Sequence, residues 1–283
     1  MRPLIVPVFI PGLGCRQRCI YCDQRAVTGA PPRLPGPEEI WRTLSLYLAT
    51  PKARRAKVRQ LAFYGGTFTQ LPESDQERLL AIGRGYIDRG LIDSLRLSTR
   101  PDALDAPALL RLAAWGVRTI ELGAQSFDEG VLRLARRGHS AQATEAAARL
   151  IKASGLELGL QLMCGLPGED LESFLASCRR AAALSPALVR LYPVVVLRGT
   201  ELERWWRRGD YLPLSVAQAV DWCRRALESF AAQAIPVARI GLPASRELEA
   251  AVVAGPYHPA LGDLVRSPLR LASAQGQMSA GRA

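Results

Sequence analysis

The stretch Gly14-Cys15-Arg16-Gln17-Arg18-Cys19-Ile20-Tyr21-Cys22-Asp23 decides how this chain is read. Its thiols are spaced Cys-x3-Cys-x2-Cys. Three thiolates on one short loop can each hold one iron of a four-iron cluster, leaving the fourth iron open to a small molecule. Soft thiolates also select zinc or copper(I). A structural zinc site wants four ligands, and no fourth Cys or His lies close by. By itself the trio leaves a zinc knuckle, a plain electron-transfer cluster and a catalytic cluster open.

Leu4–Ile10, just upstream, is apolar and has the length of a strand. Similar runs recur at Gln60–Tyr64, Leu95–Thr99, Thr119–Gly123, Glu157–Met163, Leu188–Val196 and Val237–Ile240. Helical patterns lie between them at Glu38–Ala49, Ser74–Arg89, Ala106–Trp115, Ala141–Ser154, Leu171–Leu184 and Val216–Ala232. In the last, Val216, Val220, Cys223, Leu227 and Phe230 recur at helical spacing. This alternation predicts right-handed βαβ units and a parallel sheet, hence an α/β barrel, complete or partial. Barrel enzymes carry their active site at the C-terminal ends of the strands. The cysteine loop follows the first strand, Gly65-Gly66-Thr67-Phe68 the second and Arg100-Pro101-Asp102 the third. Gln125-Ser126, Gly165-Leu166-Pro167 and Arg198-Gly199-Thr200 follow the next three. Motifs that gather on one rim support an enzyme.

The 283 residues, 48% of them apolar, suffice for one large core. There is no apolar run of about eighteen residues, so no transmembrane helix is expected. Leu4–Ile10 lacks the length and cleavage site of a signal peptide. A cytoplasmic protein is expected, its six cysteines serving as ligands or buried thiols. Cys178 and Cys223 fall on helices and read as buried; Cys164 falls near the barrel mouth, free to face substrate. The net charge of +11 is carried mostly by arginine, which favours contact with phosphates. A general bias towards arginine and alanine explains it equally well. Two stretches are candidates for RNA contact or for solvated surface: Lys52–Arg59, and Arg204-Trp205-Trp206-Arg207-Arg208. Pro31–Pro37 reads as a stiff connector, and the tail after Pro268 as poorly ordered.

These segments, taken in order, resemble the radical S-adenosylmethionine (SAM) superfamily. Within it the chain is similar to the radical-SAM half of the Elongator complex catalytic subunit and to the short bacterial proteins related to that half. The resemblance runs from about Pro7 to Val265. Besides the cysteines it is carried by Phe63–Phe68, Ser98-Thr99-Arg100-Pro101-Asp102, Glu121–Ser126, Arg137-Gly138-His139, Gly165-Leu166-Pro167-Gly168, Arg239–Leu242 and Gly255–Pro259. Two departures stand out. The Elongator subunit has a longer gap between its first two cysteines and a C-terminal acetyltransferase domain. This chain is expected to end before such a domain, so acetyl transfer is not carried over. The Elongator subunit also tends to have an acidic residue where Ser98 stands.

The resemblance implies a partial (β/α)6 TIM-type barrel over residues 1–233, an Elongator-like C-terminal extension over 234–267 and a disordered tail over 268–283. It implies an enzyme in which Cys15, Cys19 and Cys22 ligate a 4Fe–4S cluster whose open iron takes SAM. SAM is then cleaved to a 5′-deoxyadenosyl radical. Tyr21 is implied beside the adenine, Gly65, Gly66 and Thr67 beside the SAM amino group, and Gln125, Arg137 and Gln161 on the ribose and carboxylate. His139 and His258, the only histidines, are candidates for proton transfer or structural support. The implied partners are an electron donor such as ferredoxin or flavodoxin and, by analogy, tRNA or another RNA, with no membrane. Chemistry like that of the oxygen-independent coproporphyrinogen oxidases is a second reading. A non-catalytic cluster or SAM-binding accessory protein is a third.

Overall fold

The computed structural model describes residues 3–267; the tail from 268 lies outside the described residues. The strands are β1 (Leu4–Phe9), β2 (Arg59–Tyr64), β3 (Ser94–Thr99), β4 (Val117–Gln125), β5 (Glu157–Cys164), β6 (Leu188–Pro193), β7 (Val196–Leu197), β8 (Val237–Ile240) and β9 (Val252–Ala254). Seven of them form one sheet in the order β1-β2-β3-β4-β5-β6-β8. Every neighbouring pair in it is parallel. Since β1 and β8 are the two edges, the barrel is partial. The short pair β7 and β9 runs antiparallel outside that sheet.

The helices are α1 (Gln24–Thr28), α2 (Pro37–Leu48), α3 (Pro51–Arg55), α4 (Glu73–Asp88), α5 (Ala106–Ala114), α6 (Glu129–Leu134), α7 (Ala141–Ala153), α8 (Leu171–Ala183), α9 (Glu201–Arg208), α10 (Val216–Ala231) and α11 (Arg246–Ala251). The long ones connect consecutive parallel strands, as the alternation predicts. Their starts are written locally. Asp105, Ser140, Asp170 and Ser215 each accept a hydrogen bond from a first-turn amide, which fixes where α5, α7, α8 and α10 begin. The core lies between sheet and helices. Leu61 and Phe63 on β2, Leu95 and Leu97 on β3, Leu160 and Leu162 on β5 and Phe174 on α8 belong to one fully buried cluster.

Two differences from the sequence reading have plain causes. The run Leu188–Val196 is not one strand. β6 ends at Pro193, which has no N–H for the ladder, and Val196–Leu197 turns away to meet β9. The helices α1, α3, α6, α9 and α11 were not expected. Each has only five to eight residues, too few for a periodic apolar face to declare itself. Val237–Ile240, inside the segment read as an extension, pairs with β6 and continues the main sheet. No helix among the described residues is long and apolar enough to cross a membrane.

Candidate cofactor site at the mouth of the barrel

The open side of the barrel encloses a cavity of about 2070 Å³. Its mouth is built by the loops after β1, β2 and β4. The cysteine loop is clamped from three sides. Thr67 N donates to Leu13 O at 2.9 Å, Ile20 N to Ala135 O at 3.3 Å and Leu202 N to Ile20 O at 2.9 Å. Asp23 directly after the last cysteine caps α1, taking bonds from the Arg25 and Ala26 amides. Two glycines allow the β1 and β2 loops to touch. A Cβ on Gly14 would run into Thr67 O, and one on Gly66 into Leu13 O and, at 2.6 Å, Ile10 O. Gly14 and Gly65 also have positive φ, of 72° and 89°.

Each thiol of the trio has a polar neighbour. Cys15 Sγ lies 3.2 Å from Thr67 Oγ1, Gln24 Nε2 donates to Cys22 Sγ at 3.4 Å, and Arg137 Nη1 donates to Cys19 Sγ at 2.9 Å. Arg137 is anchored at its other end by Gly123 O. Hydrogen bonds to ligand sulfurs are a main lever on cluster potential. Among the described residues no three His, Cys, Asp or Glu side chains are grouped to hold one metal ion. A four-iron cluster makes no such demand, because each thiolate binds a different iron.

Around the thiols lie buried polar atoms with no protein partner: Tyr21 OH, Gln125 Oε1 and Arg137 Nε. A folded chain rarely leaves such atoms unsatisfied except where a ligand or water completes them. Gln125 moreover holds φ at +68°, strained for a residue with a side chain, at the end of β4. The mouth thus offers thiolates, unpaired polar atoms and close-packed glycine backbone, a donor set that fits a cluster carrying a polar organic ligand. Tyr21, Gly65, Gly66, Thr67, Gln125, Arg137 and Gln161 all line this cavity.

The two histidines are not brought to it. His139 is buried, with Nδ1 3.2 Å from Ser140 O and Nε2 unpartnered. Burial, and then the neighbouring Arg137 charge, push its pKa down to about 4. His258 accepts from the Ala260 amide at 3.1 Å, in the turn after β9. Cys164 does not face the mouth either. On β5 the positions Gln161 and Met163 line the cavity, so the next residue, Cys164, points into the core, its Sγ 3.7 Å from that of Cys223.

Sequence reasoning missed two groups. Glu169 receives the Gly165 and Leu166 amides at 2.9 and 3.3 Å and the Ser126 hydroxyl at 3.4 Å. Burial raises its pKa to about 8 in spite of these bonds. It ties the turn after β5 to the end of β4, and the only signal was an acid directly after Gly165–Gly168. The second group lies deeper. Glu121 on β4 takes Arg96 Nη1 at 2.8 Å, Tyr64 OH at 2.7 Å and Arg190 Nη2 at 3.0 Å on one oxygen, and Gln161 Nε2 at 3.0 Å on the other. Burial would raise this carboxyl; Arg190 and Arg96 beside it bring it down to about 2.

Comparison with known proteins agrees with this geometry. The family described as "Radical SAM superfamily" matches residues 9–181, and its "C-terminal domain" family matches 186–270. The tRNA uridine(34) acetyltransferase of Methanocaldococcus infernus is 34% identical over 131 residues, 45% of this chain and 24% of the relative. The protein of the same name from Dehalococcoides mccartyi is 28% identical over 242 residues, 74% of this chain and 52% of the relative. The chain therefore spans about half, or less, of the length of these relatives. Among solved structures, archaeal Elp3 of M. infernus lacking its N-terminus superposes with a TM-score of 0.70 at 21% identity, covering 95% of this chain and 63% of that one.

Proposed function

The chain belongs to the radical SAM superfamily, and from that premise we propose that Cys15, Cys19 and Cys22 hold its four-iron cluster and that it works as a SAM-cleaving enzyme on an RNA substrate. The observation that carries this reading is the meeting, at one mouth, of three thiols with polar neighbours and the unpaired buried atoms of Tyr21, Gln125 and Arg137. The family's cofactors are a 4Fe–4S cluster and SAM. When bound, they supply an electron and a 5′-deoxyadenosyl group that removes hydrogen from a substrate C–H bond.

This chain's residues bind, orient and shield. Arg137 offers Nε, still free, to the SAM carboxylate while Nη1 stays on the Cys19 sulfur. Gln125 and Gln161 offer amides to the ribose, and the Gly65-Gly66 backbone lets the amino group approach closely. Tyr21 covers the adenine side and, with Ile20 and Leu202, closes the loop to water. His139 and His258 line no part of the cavity and are given no part in this scheme.

The RNA reading is supported by the tRNA-directed names of the relatives and by α9. That helix packs Leu202 against the cysteine loop, sets Arg204 on the cavity lining, and stacks Arg207 over Trp206, which packs against the same cluster. The other basic stretch, Lys52–Arg59, leads into the start of β2, at the opposite end of the barrel. A reductant such as ferredoxin or flavodoxin completes the scheme.

The test is anaerobic reconstitution with iron and sulfide, then SAM and a strong reductant. Formation of 5′-deoxyadenosine is expected, falling to background in Cys19→Ala. A fully loaded, reducible cluster that leaves SAM intact, with or without added tRNA, would refute the reading.

A further inference from the structure

Barrel interiors are ordinarily filled with branched apolar side chains. The middle of this one is charged. Arg96 on β3, Glu121 on β4 and Arg190 on β6 form one buried network. Arg239 on β8 is the register neighbour of Arg190, so both stems leave the same face of adjacent strands. Two guanidiniums, those of Arg96 and Arg190, thus share the Glu121 carboxylate, and a third, that of Arg239, stands beside them without one. The acids at the far end of the cavity are already taken, Asp93 by Arg59 and Glu157 by Arg118.

The network is saturated on one side only. Arg96 spends its groups on Gln60 and Glu121. Arg190 spends Nη2 on Tyr64 OH at 2.7 Å and Glu121 Oε1 at 3.0 Å, while its Nε is 2.7 Å from Glu121 Oε2 but off the line of a hydrogen bond. Arg239 makes one hydrogen bond, from Nε to Gly241 O at 3.0 Å, and among the described residues it has no ion pair. Like charges side by side on a sheet repel. The guanidinium fork suits a carboxylate or phosphate, and the half-buried Arg239 has neither among the described residues.

We propose that the barrel lumen binds a small organic anion, bearing a carboxylate or a phosphate, between Arg190 and Arg239. The cavity runs the length of the barrel, since Lys57, Arg118 and Pro236 at the strand starts line it as well as the thiols. The anion therefore enters from the end opposite the cysteine loop while the mouth is filled, drawn by the exposed Lys57. It deepens the reading above by giving the enzyme a small co-substrate beneath the thiols. It rests on that reading for the co-substrate's role and not for its binding.

The experiment uses the full chain without iron or SAM, so its failure and a failure of SAM cleavage are separable. Succinate and inorganic phosphate are titrated by calorimetry and thermal shift, against potassium chloride at equal ionic strength. Saturable binding of at least one is expected, and which one binds identifies the anion class. Arg239→Gln, which removes a single backbone bond, is expected to weaken it roughly tenfold or more. Arg239→Lys should recover part of the affinity, and Arg179→Gln on the outer surface should leave it unchanged. Absence of saturable binding, or equal affinity in Arg239→Gln and wild type, would overturn the proposal.

Discussion

Arg137 donates to Cys19 and to Gly123 O and still has a free buried Nε, so one guanidinium links the cysteine loop, the end of β4 and the space between them. Its charge also acts on His139 two residues on, which faces Arg100 and Asp102 as well. The unfolded chain binds the histidine proton near pH 6.5, whereas the folded chain binds it only near pH 4. Below about 6.5 the unfolded state therefore holds more protons, and stability declines as pH falls towards 4. Melting temperatures between pH 7.5 and 4.5 should drop more steeply in wild type than in His139→Gln; parallel curves would show that His139 contributes nothing. At this scale the cysteines were legible because ligand spacing is local. Cys164 was not, because a strand alternates faces and one step reverses a side chain.

At the scale of elements, the short helix α9 governs the cysteine loop. Leu202 is fully buried with Ile20 and Tyr21 in a small cluster separate from the main core. Leu202→Ala should cost about 3 kcal/mol. Because the loss falls on a satellite cluster, it should loosen the loop before the barrel. Iron retained per chain after reconstitution is then expected to fall by half or more, while the far-ultraviolet circular dichroism spectrum stays as in wild type. Full iron retention would mean that the loop holds its shape without α9. The long helices and seven parallel strands were readable from apolar period and alternation. The α9 segment read only as a mixture of cations and aromatics, because its partner, the cysteine loop, is remote in sequence.

For the whole molecule, the two basic stretches lie at opposite ends of the barrel, so they cannot serve one RNA footprint at the mouth. The α9 arginines are paired with Glu201, Glu203 and Asp210; Glu203 is buried, but the guanidinium ends are exposed and keep a face towards solvent for phosphates. Affinity for tRNA should fall steeply as salt rises. Arg207→Gln should reduce the slope of that dependence by about one, and Lys52→Gln should not change it. Binding indifferent to salt, or equally sensitive to both variants, would remove the RNA footprint from the mouth. The charged lumen belongs to this scale too. Gln60, Tyr64, Arg96, Glu121, Gln161 and Arg190 come from five strands, and nothing in any one strand says that its polar face turns inward. The sequence by itself determined the alternation of strands and helices, the loop of three thiols and the ring of motifs at the strand ends, since each is written within a few consecutive residues. Only the tertiary structure decided which faces meet: that Arg137 reaches Cys19, that Cys164 is buried against Cys223, and that two arginines converge on one glutamate. Those contacts depend on strand register and barrel curvature, which join residues up to more than a hundred positions apart.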